Sequence, residues 1–530
     1  MNWDAGRLTG PDGEDWRVPV SELEARQARL SKALADSGHE SVLIDDPVEL
    51  YWLTGGRQSS MLLVGADGSS IETNHWVRRS LDRARFEAGG GDAPHQIVEQ
   101  PRMSGLEDSL REAGCTKAPG MLAGKVPKSR WEFLSSKFSN LEGVSPDCTG
   151  ILFTLREMKS DWEIEILAES GRINRMMFET IRDTGGVGKT EIEMAAAADE
   201  VSRTAGFGGR IRMRNWPMDC DRVVIATGRS GAVPSYFDSG VAGLGANPIA
   251  SLGAGFAKVG ESEPVLVDIV HVHRGYVSDC TRIFSAGPLS SEWHERLNDM
   301  AEIRDSLVSG LGRGNDCSAV WEQGRQMAAE MGHSEHLMGM PPDQARFLGH
   351  SVGLELDETP VIARGFDRPL EVGGTMAIEP KVIHSDGAIG TEDTWARVSD
   401  GMECLTMGDS FPMLTEWYHE GVDYLLRISE VLNLTRARKK AQMRLARVLN
   451  DRKEPHGSLI TDESILKGVE VNDSGIVELW VKPPHPHCPC CLDDLISLKR
   501  EIGSQRGVLG CHIEIVGIPH AERWTAAINE

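Results

Sequence analysis

The chain reads as an α/β N-terminal domain, an α+β central domain and a small α/β C-terminal domain, and three patterns predict this. Short apolar runs alternate with helix-like stretches in the first part. Acidic residues end or interrupt β-branched apolar runs between 265 and 392. After 457, a strand, a cysteine-rich loop, a helix and a second strand follow in order. With 530 residues, 40% hydrophobic and 26% charged, the composition is globular and the length suits about three domains.

In chain order, residues 21–37 predict an amphipathic helix, and SVLIDD and SMLLVGADG predict strands. A break falls near CTGILFTLREMKSDWEIEIL, which puts the N-terminal domain at 1–155 and the central one at 156–425. A helix from about Asp161 to Arg182 opens the central domain, with Ser160 three residues before Glu163 as a capping box. VLVDIV reads as a strand that Arg274-Gly275 turns back into YVSDCTRIF, so Asp268 and Asp279 are expected to face each other across a hairpin. A second hairpin is expected where Glu379 follows TMAI, HSDGAIG supplies the turn, and Glu392 begins the return strand. His350 falls in a loop or short strand beside small neighbours, Gly349 and Gly353. The stretch from about Glu416 to Asn450 reads as a helix leading out, DRKEPHGS as a polar linker, and 426–456 as the connection to a domain at 457–530.

Asp268, Asp279, His350, Glu379 and Glu392 together offer hard carboxylate oxygens and one imidazole, a set suited to two neighbouring divalent ions. A lone acid is normally a solvated charge. Carboxylates that end apolar strands are costly to bury unless they are paired or bind metal, and here several do so. His271 and His273 stand at odd offsets from Asp268 and project from the other face, as does Cys280 beside Asp279.

The order and surroundings of these ligands resemble the pita-bread metallohydrolases, the family of aminopeptidase P, prolidase, methionine aminopeptidase and creatinase. RMRNW at 212–216, GAVPSYFDSGVAGLGANP at 231–248, SDCTRIFSAG at 278–287 and GMECLT at 401–406 are similar to segments of its prolidase-like branch. EARQARLSKALADSGHESVLIDDPVELYWLTGG resembles the N-terminal domain of creatinases and prolidases. The resemblance implies a pita-bread central domain and a C–N bond hydrolase of Xaa-Pro peptidase type that uses a metal-bridging water. Asp279 and Glu392 would touch both metals or lie nearest the bridge, Asp268 would complete one, and His350 and Glu379 the other, with Glu379 as the proton shuttle. It also implies a homodimer. Manganese, iron, cobalt and zinc all tolerate such ligands.

Two departures bear on the substrate. Family peptidases carry a second His seven positions after the ligand His, where this chain has Asp357, and another in the strand before the first ligand, where RVVIATGRSGAVPSYFD has none. An anionic Asp357 cannot donate to an oxyanion, so either it meets a cationic group or burial retains its proton. A small zwitterionic metabolite therefore stands beside a small peptide as the substrate, with creatinase-type or ectoine-type hydrolysis, or a dimethylsulfoniopropionate-type lyase, as the alternative chemistry. Tyr236 and Phe237 could serve such a cation or simply pack beneath a loop. The lyase carries an extra Asp where this chain has Val270, which counts against a close match. A non-catalytic peptide- or metal-binding protein is a third reading, opposed by retention of all five ligands.

Residues 457–530 resemble the small iron–sulfur-assembly domain of SufT type. Within them, Cys488, Cys490 and Cys491 with His487 form an HPHCPCC run at a helix start, a candidate second site for zinc or an iron–sulfur cluster. Cys511 lies further along, and the remaining cysteines read as packing residues. The net charge of −24 disfavours nucleic acid and anionic membrane as partners. The arginines of GGRIRMRNW read as ion-paired strand residues or as a carboxylate clamp. The N-terminus lacks the features of a signal peptide and no apolar run could span a bilayer, so a cytoplasmic location is expected.

Overall fold

The structure is a computed structural model that describes residues 9–207, 211–214, 220–417, 445, 448–449, 452–471, 476–485, 488–505, 508 and 510–529. It forms two compact units, Met1–Trp417 and Tyr418–Glu530.

The first unit begins with helix α1 (Val20–Asp36) and strand β1 (Ser41–Ile44), followed by α2 (Pro47–Thr54), β2 (Ser60–Gly65) and β3 (Asn74–Val77). Next come α3 (Leu81–Glu87), β4 (Gln96–Glu99), α4 (Leu106–Glu112), α5 (Lys128–Ser135) and α6 (Thr149–Glu157). The strands form a four-stranded sheet in the order β1-β2-β3-β4. The sharp domain break expected near 155 falls inside α6, which packs on α1 and also on a central strand, β9 (Glu358–Ala363). Trp52 and Leu53 share a buried cluster with Ile166, Tyr276 and Leu354, so one core runs through both parts.

Helix α7 (Asp161–Thr184) starts where the capping box predicts: Ser160 Oγ accepts from Glu163 N at 3.2 Å and Glu163 Oε2 from Ser160 N at 3.0 Å. After α8 (Glu191–Thr204) comes one central sheet, in which β5 (Val223–Thr227), β6 (Val265–His273) and β7 (Tyr276–Ser285) pair antiparallel and β15 (Leu414–Glu416) joins the edge in parallel. Helices α9 (Ser291–Gly312) and α10 (Cys317–Glu330) lead to a second sheet. This contains β8 (Phe347–Ser351), β9, β10 (Thr375–Ile378), β13 (Asp393–Val398) and β14 (Gly401–Cys404), in the order β14-β13-β10-β8-β9. A separate ribbon, β11 (Lys381–His384) with β12 (Gly387–Gly390), extends the β10/β13 hairpin.

Glu49 and Lys125 of the N-terminal part meet Arg156, Lys159, Arg214, Glu355 and Glu358 in a buried ion network. Arg156 Nη1 lies 2.5 Å from Glu49 Oε1 and 3.1 Å from Glu355 Oε2, Lys159 Nζ lies 3.1 Å from Glu358 Oε2, and Lys125 pairs with Glu355. Arg214 pairs with both Glu355 and Glu358 and stacks on Phe153, so it acts as the ion-paired residue the sequence allowed; Arg210 lies outside the described residues.

The second unit contains β16 (Leu466–Val471), β17 (Ile476–Val481), α11 (Pro489–Gly503), β18 (Gly510–Ile515) and α12 (Ala521–Asn529). β17 pairs antiparallel with β16 and parallel with β18, with α11 as the crossover. This matches the expected strand, loop, helix and strand. The unit begins earlier than 457, however: Leu445, Leu449 and Ile460 belong to the same buried cluster as Val477, Leu498 and Ile513, so the stretch read as linker is partly core. Most of the helix expected from Glu416 to Asn450 lies outside the described residues.

Candidate metal centre

Arg274 (φ 49) and Gly275 (φ 96) form a two-residue turn with both residues left-handed, the type that matches strand twist in a tight hairpin. His273 therefore pairs with Tyr276, Asp268 with Thr281, and Val270 with Asp279. The two aspartates do not face each other directly, as the sequence suggested. They sit on one face as diagonal neighbours, within reach of one ligand but not in register. His271 projects away, with Nδ1 3.0 Å from Ser202 Oγ, and His273 packs edge-on against Trp16; both are outside the centre, as is Cys280, which contacts Asn174.

The second hairpin is longer than expected, because β12 already begins at Gly387 and the turn is confined to Ser385 and Asp386. Glu379 and Glu392 stand opposite each other where β10/β13 passes into β11/β12, between the pairs Ile378–Asp393 and Lys381–Gly390. Glu392 is tied to the first hairpin: Thr281 N donates to its carbonyl at 3.2 Å, its own N donates to Thr281 O at 3.4 Å, and Thr281 Oγ1 donates to Oε2 at 2.8 Å. His350 lies on β8 opposite Ala377, and a Cβ on Gly349 would come within 2.4 Å of Ala377 O, so glycine is what lets β8 close onto β10.

All five expected ligands therefore converge. His350 Nε2 is 3.3 Å from Glu379 Oε1 and 3.8 Å from Asp279 Oδ2, and Asp279, His350 and Glu392 each present a donor atom within 4.8 Å of the others. Three buried carboxylate oxygens, Asp268 Oδ1, Asp279 Oδ1 and Glu392 Oε1, have no hydrogen-bond partner. Burial and then the charges of Glu392, Asp268 and Glu379 push Asp279 well above the carboxylate range, and burial and Glu379 do the same to Glu392. Crowded carboxylates that retain protons and leave buried oxygens unpartnered fit a divalent cation, whose binding would release those protons.

One member of the centre was not anticipated. The Lys381 ammonium is 1% exposed and donates to Glu379 Oε2 at 2.6 Å, Glu392 Oε2 at 2.8 Å and Asp268 Oδ2 at 3.3 Å. Burial opposes its charge, but the three carboxylates hold it firmly protonated. Burial likewise opposes ionisation of Glu379, yet Lys381 and the hydrogen bond from His350 bring it below the usual range. The signal was present in the sequence: Lys381 is two residues after Glu379 inside an apolar run, hence on the same strand face.

Asp357 sits at φ 58 with Oδ1 3.7 Å from His350 Nδ1, on the side of the imidazole away from Glu379. Burial raises its pKa, against the pull of His350. Phe237 is half-buried against the central core, whereas Tyr236 is 54% exposed and meets Phe237 edge-on at 5.1 Å, so the packing reading holds for Phe237.

In the second unit, Cys488, Cys490 and Cys491 do cluster at the start of α11, and their fourth partner is His456. His487, the expected partner, lies outside the described residues. The Cys490 thiol and the Cys491 backbone hold Cys488 below the ordinary thiol range, at about 6. Cys511 is half-buried on β18 within the apolar core.

Comparison with known proteins places this geometry. Residues 165–397 match the model for metallopeptidase family M24. The chain is 21% identical over 387 residues to an Xaa-Pro dipeptidase of Lactobacillus helveticus, covering 72% of this chain and 96% of that protein. It is 22% identical over 388 residues to one of Pyrococcus furiosus, covering 72% and 98%. Among solved structures, the dipeptidase PepE of Mycobacterium ulcerans superposes with a TM-score of 0.60 at 20% identity over 76% of this chain and all of that one, and the Xaa-Pro dipeptidase of Bacillus anthracis with 0.61 at 21% over 74% and 99%. The first unit thus has the pita-bread fold of prolidases and aminopeptidase P. These relatives give no support to the resemblance of the C-terminal part to iron–sulfur-assembly domains.

Proposed function

We propose that the protein is a metal-dependent hydrolase that cleaves a C–N bond, with small peptides of Xaa-Pro type as the leading substrates. The observation that carries this is the convergence of Asp268, Asp279, His350, Glu379 and Glu392 around three unpartnered buried carboxylate oxygens; the names of the matched relatives point to the peptide class. A divalent ion held by these residues would supply Lewis-acid polarisation of the scissile carbonyl and acidify a water.

The chain's own groups do the rest. Glu379 has one oxygen fixed by Lys381 and the other beside His350, which leaves Oε1 as the atom that takes a proton and returns it to the leaving nitrogen. His350 is kept from turning by Glu379 on its Nε2 side and Asp357 on its Nδ1 side. Asp357 also offers a partly buried acid to a protonated substrate amine. That placement favours a second substrate class, a small zwitterionic metabolite, for the same hydrolytic centre. The homodimer inferred from the resemblance of the N-terminal domain belongs to this reading, and manganese is the first metal to load.

The test is turnover of Xaa-Pro dipeptides and of zwitterionic amides by protein loaded with Mn(II), Co(II) or Zn(II), with and without chelator. Glu379→Gln is expected to lower kcat by about 10²–10⁴-fold. Chelator-insensitive turnover, or a Glu379→Gln enzyme as fast as wild type, refutes the reading.

A further inference from the structure

We infer that the Lys381 ammonium fills the Asp268 side of the centre, where a second ion would sit, so that the site holds one divalent ion on the Asp279–His350–Glu392 side. The inference rests on the metal-dependent reading above and changes its stoichiometry. An ammonium has three N–H donors, and all three are used on the carboxylates of Asp268, Glu379 and Glu392. The position is built into the backbone. Lys381 pairs across the β11/β12 ribbon with Gly390, where a Cβ would stand 2.6 Å from the Lys381 Cγ, so the glycine makes the slot through which the stem passes. Gly240 flanks the same stem, where an added Cβ would stand 3.7 Å from the Lys381 Cδ.

The donor atoms divide largely accordingly, with Asp268 Oδ1 the one free oxygen on the ammonium side. Glu379 gives Oε2 to Lys381 and Oε1 to His350, and Glu392 gives Oε2 to Lys381 and Thr281 while Oε1 has no partner. Asp279 touches no part of the ammonium and keeps Oδ1 free. One set of ligand atoms is thus preorganised for an ion, and the other set already surrounds a cation of the protein's own. A divalent ion added there would have to displace a buried ammonium and face it at close range, with like charges repelling.

The experiment is Mn(II) titration of the full-length protein, with bound metal counted after desalting and the electron paramagnetic resonance spectrum recorded at saturation. Expected is one Mn(II) per chain at this centre with the hyperfine pattern of an isolated ion, lost in His350→Ala. Lys381→Ala, and Lys381→Met as a variant that keeps the buried stem, are expected to take up a second Mn(II) and show an exchange-coupled pair. Two coupled ions in wild type overturn the inference while leaving the hydrolase reading intact. Failure of wild type to bind any Mn(II) overturns both.

A separate observation in the C-terminal unit carries a second site. The structure assigns a tetrahedral Cys₃His site of zinc type to Cys488, Cys490, Cys491 and His456. Cys488 Sγ and Cys490 Sγ lie 3.4 and 3.7 Å from His456 Nε2, and one donor atom from each of the four residues lies within 4.8 Å of the others. A tetrahedral zinc with bonds of about 2.3 Å to sulfur and 2.0–2.1 Å to nitrogen has S···N edges of roughly 3.5 Å. The imidazole is delivered by a made turn. The Glu454 carboxylate accepts from His456 N and Ser458 N, both at 2.9 Å, Gly457 adopts φ +99, and the His485 ring packs at 4.2 Å from the other side. On the cysteine side, Cys488 N donates to His485 O and Cys491 N to Cys488 O, which curls the chain so that three thiols of one short run face one point.

Co(II) loading of the full-length protein reads this site through its thiolate bands, which the carboxylates and imidazole of the first centre do not give. Expected are thiolate-to-cobalt charge-transfer bands and the strong ligand-field bands of tetrahedral Co(II), bleached by one equivalent of Zn(II), abolished in Cys488→Ser/Cys491→Ser, shifted and weakened in His456→Ala, and restored in His456→Cys. Absence of thiolate bands in wild type, unchanged bands in His456→Ala, or an iron–sulfur chromophore in anaerobically purified protein overturns the assignment.

Discussion

Arg282 has no exposed side-chain surface, yet it controls the position of Glu392 without being a ligand. Its Nη1 donates to the Thr281 and Glu392 carbonyls, both at 2.9 Å, and its Nη2 to Asp393 at 3.0 Å and to Gly408 O at 2.9 Å. Asp393 completes the cage by accepting from Thr406 Oγ1 at 2.7 Å and from the Met407 and Gly408 amides. Arg282→Met strands a buried carboxylate and is expected to cost about 3–5 kcal/mol in urea denaturation. Because the Glu392 backbone loses its anchor, Mn(II) affinity is expected to fall about 10–100-fold, read by titration under conditions where the variant is folded. Asp393→Asn, which keeps the shape and loses the charge, should show a smaller loss of both.

At the scale of elements, the β6/β7 hairpin depends on its turn. Gly275→Ala places a side chain at φ 96 with its Cβ 3.1 Å from Tyr51 Cε1, and the expected loss is about 1 kcal/mol or more, measured by the denaturation midpoint. The helix entering the central domain is similarly exposed to a single change. Ser160→Ala removes the cap and the 2.8 Å hydrogen bond that Ser160 Oγ donates to Glu22, for an expected cost of about 1 kcal/mol. Both elements were legible in the sequence, since Arg274-Gly275 and Ser160/Glu163 are local signals. The register was legible in principle too: a two-residue turn at Arg274-Gly275 forces Asp268 opposite Thr281, so the expectation of facing aspartates ignored information already present. Lys381 is less legible, because a single lysine after Glu379 in EPKVIH carries no ligand pattern of its own. His456 was beyond reach for another reason. It comes to the cysteines from a distant turn through tertiary packing, and no local pattern in EPHGS announces it.

For the whole molecule, the buried network around Glu355 and Glu358 makes the first unit acid-sensitive. Burial opposes ionisation of Glu358, but Arg156, Lys159 and Arg214 hold its carboxyl far below the ordinary glutamate value of 4.5. A depressed folded pKa contributes stability that is fully present above about 4.5 and is lost as pH falls toward the folded value. Denaturation midpoints of wild type and Glu358→Gln are therefore expected to differ most near neutral pH and to converge under acid; a constant difference across that range would contradict the account. The network also shows why the expected boundary near 155 is not a break, since Glu49 and Lys125 on one side satisfy charges of β9 and its approach on the other.

The bridge between Thr281 and Glu392 has a consequence for how the protein is made. It joins Thr281 on β7 to Glu392 between β12 and β13, and the ligands it brings together start with Asp268 on β6 and end with Glu392, just ahead of β13. A chain emerging from the ribosome cannot close the centre until nearly all of the first unit has been synthesised, because the last ligand and its Asp393 anchor arrive with the final strands. An ion held here would therefore be acquired late, by a nearly finished first unit, and nascent chains that stop before Glu392 should neither retain Mn(II) nor gain protection from proteolysis when it is added. Metal binding at this centre would thus report a finished first unit, with the residues after Trp417 still to be added.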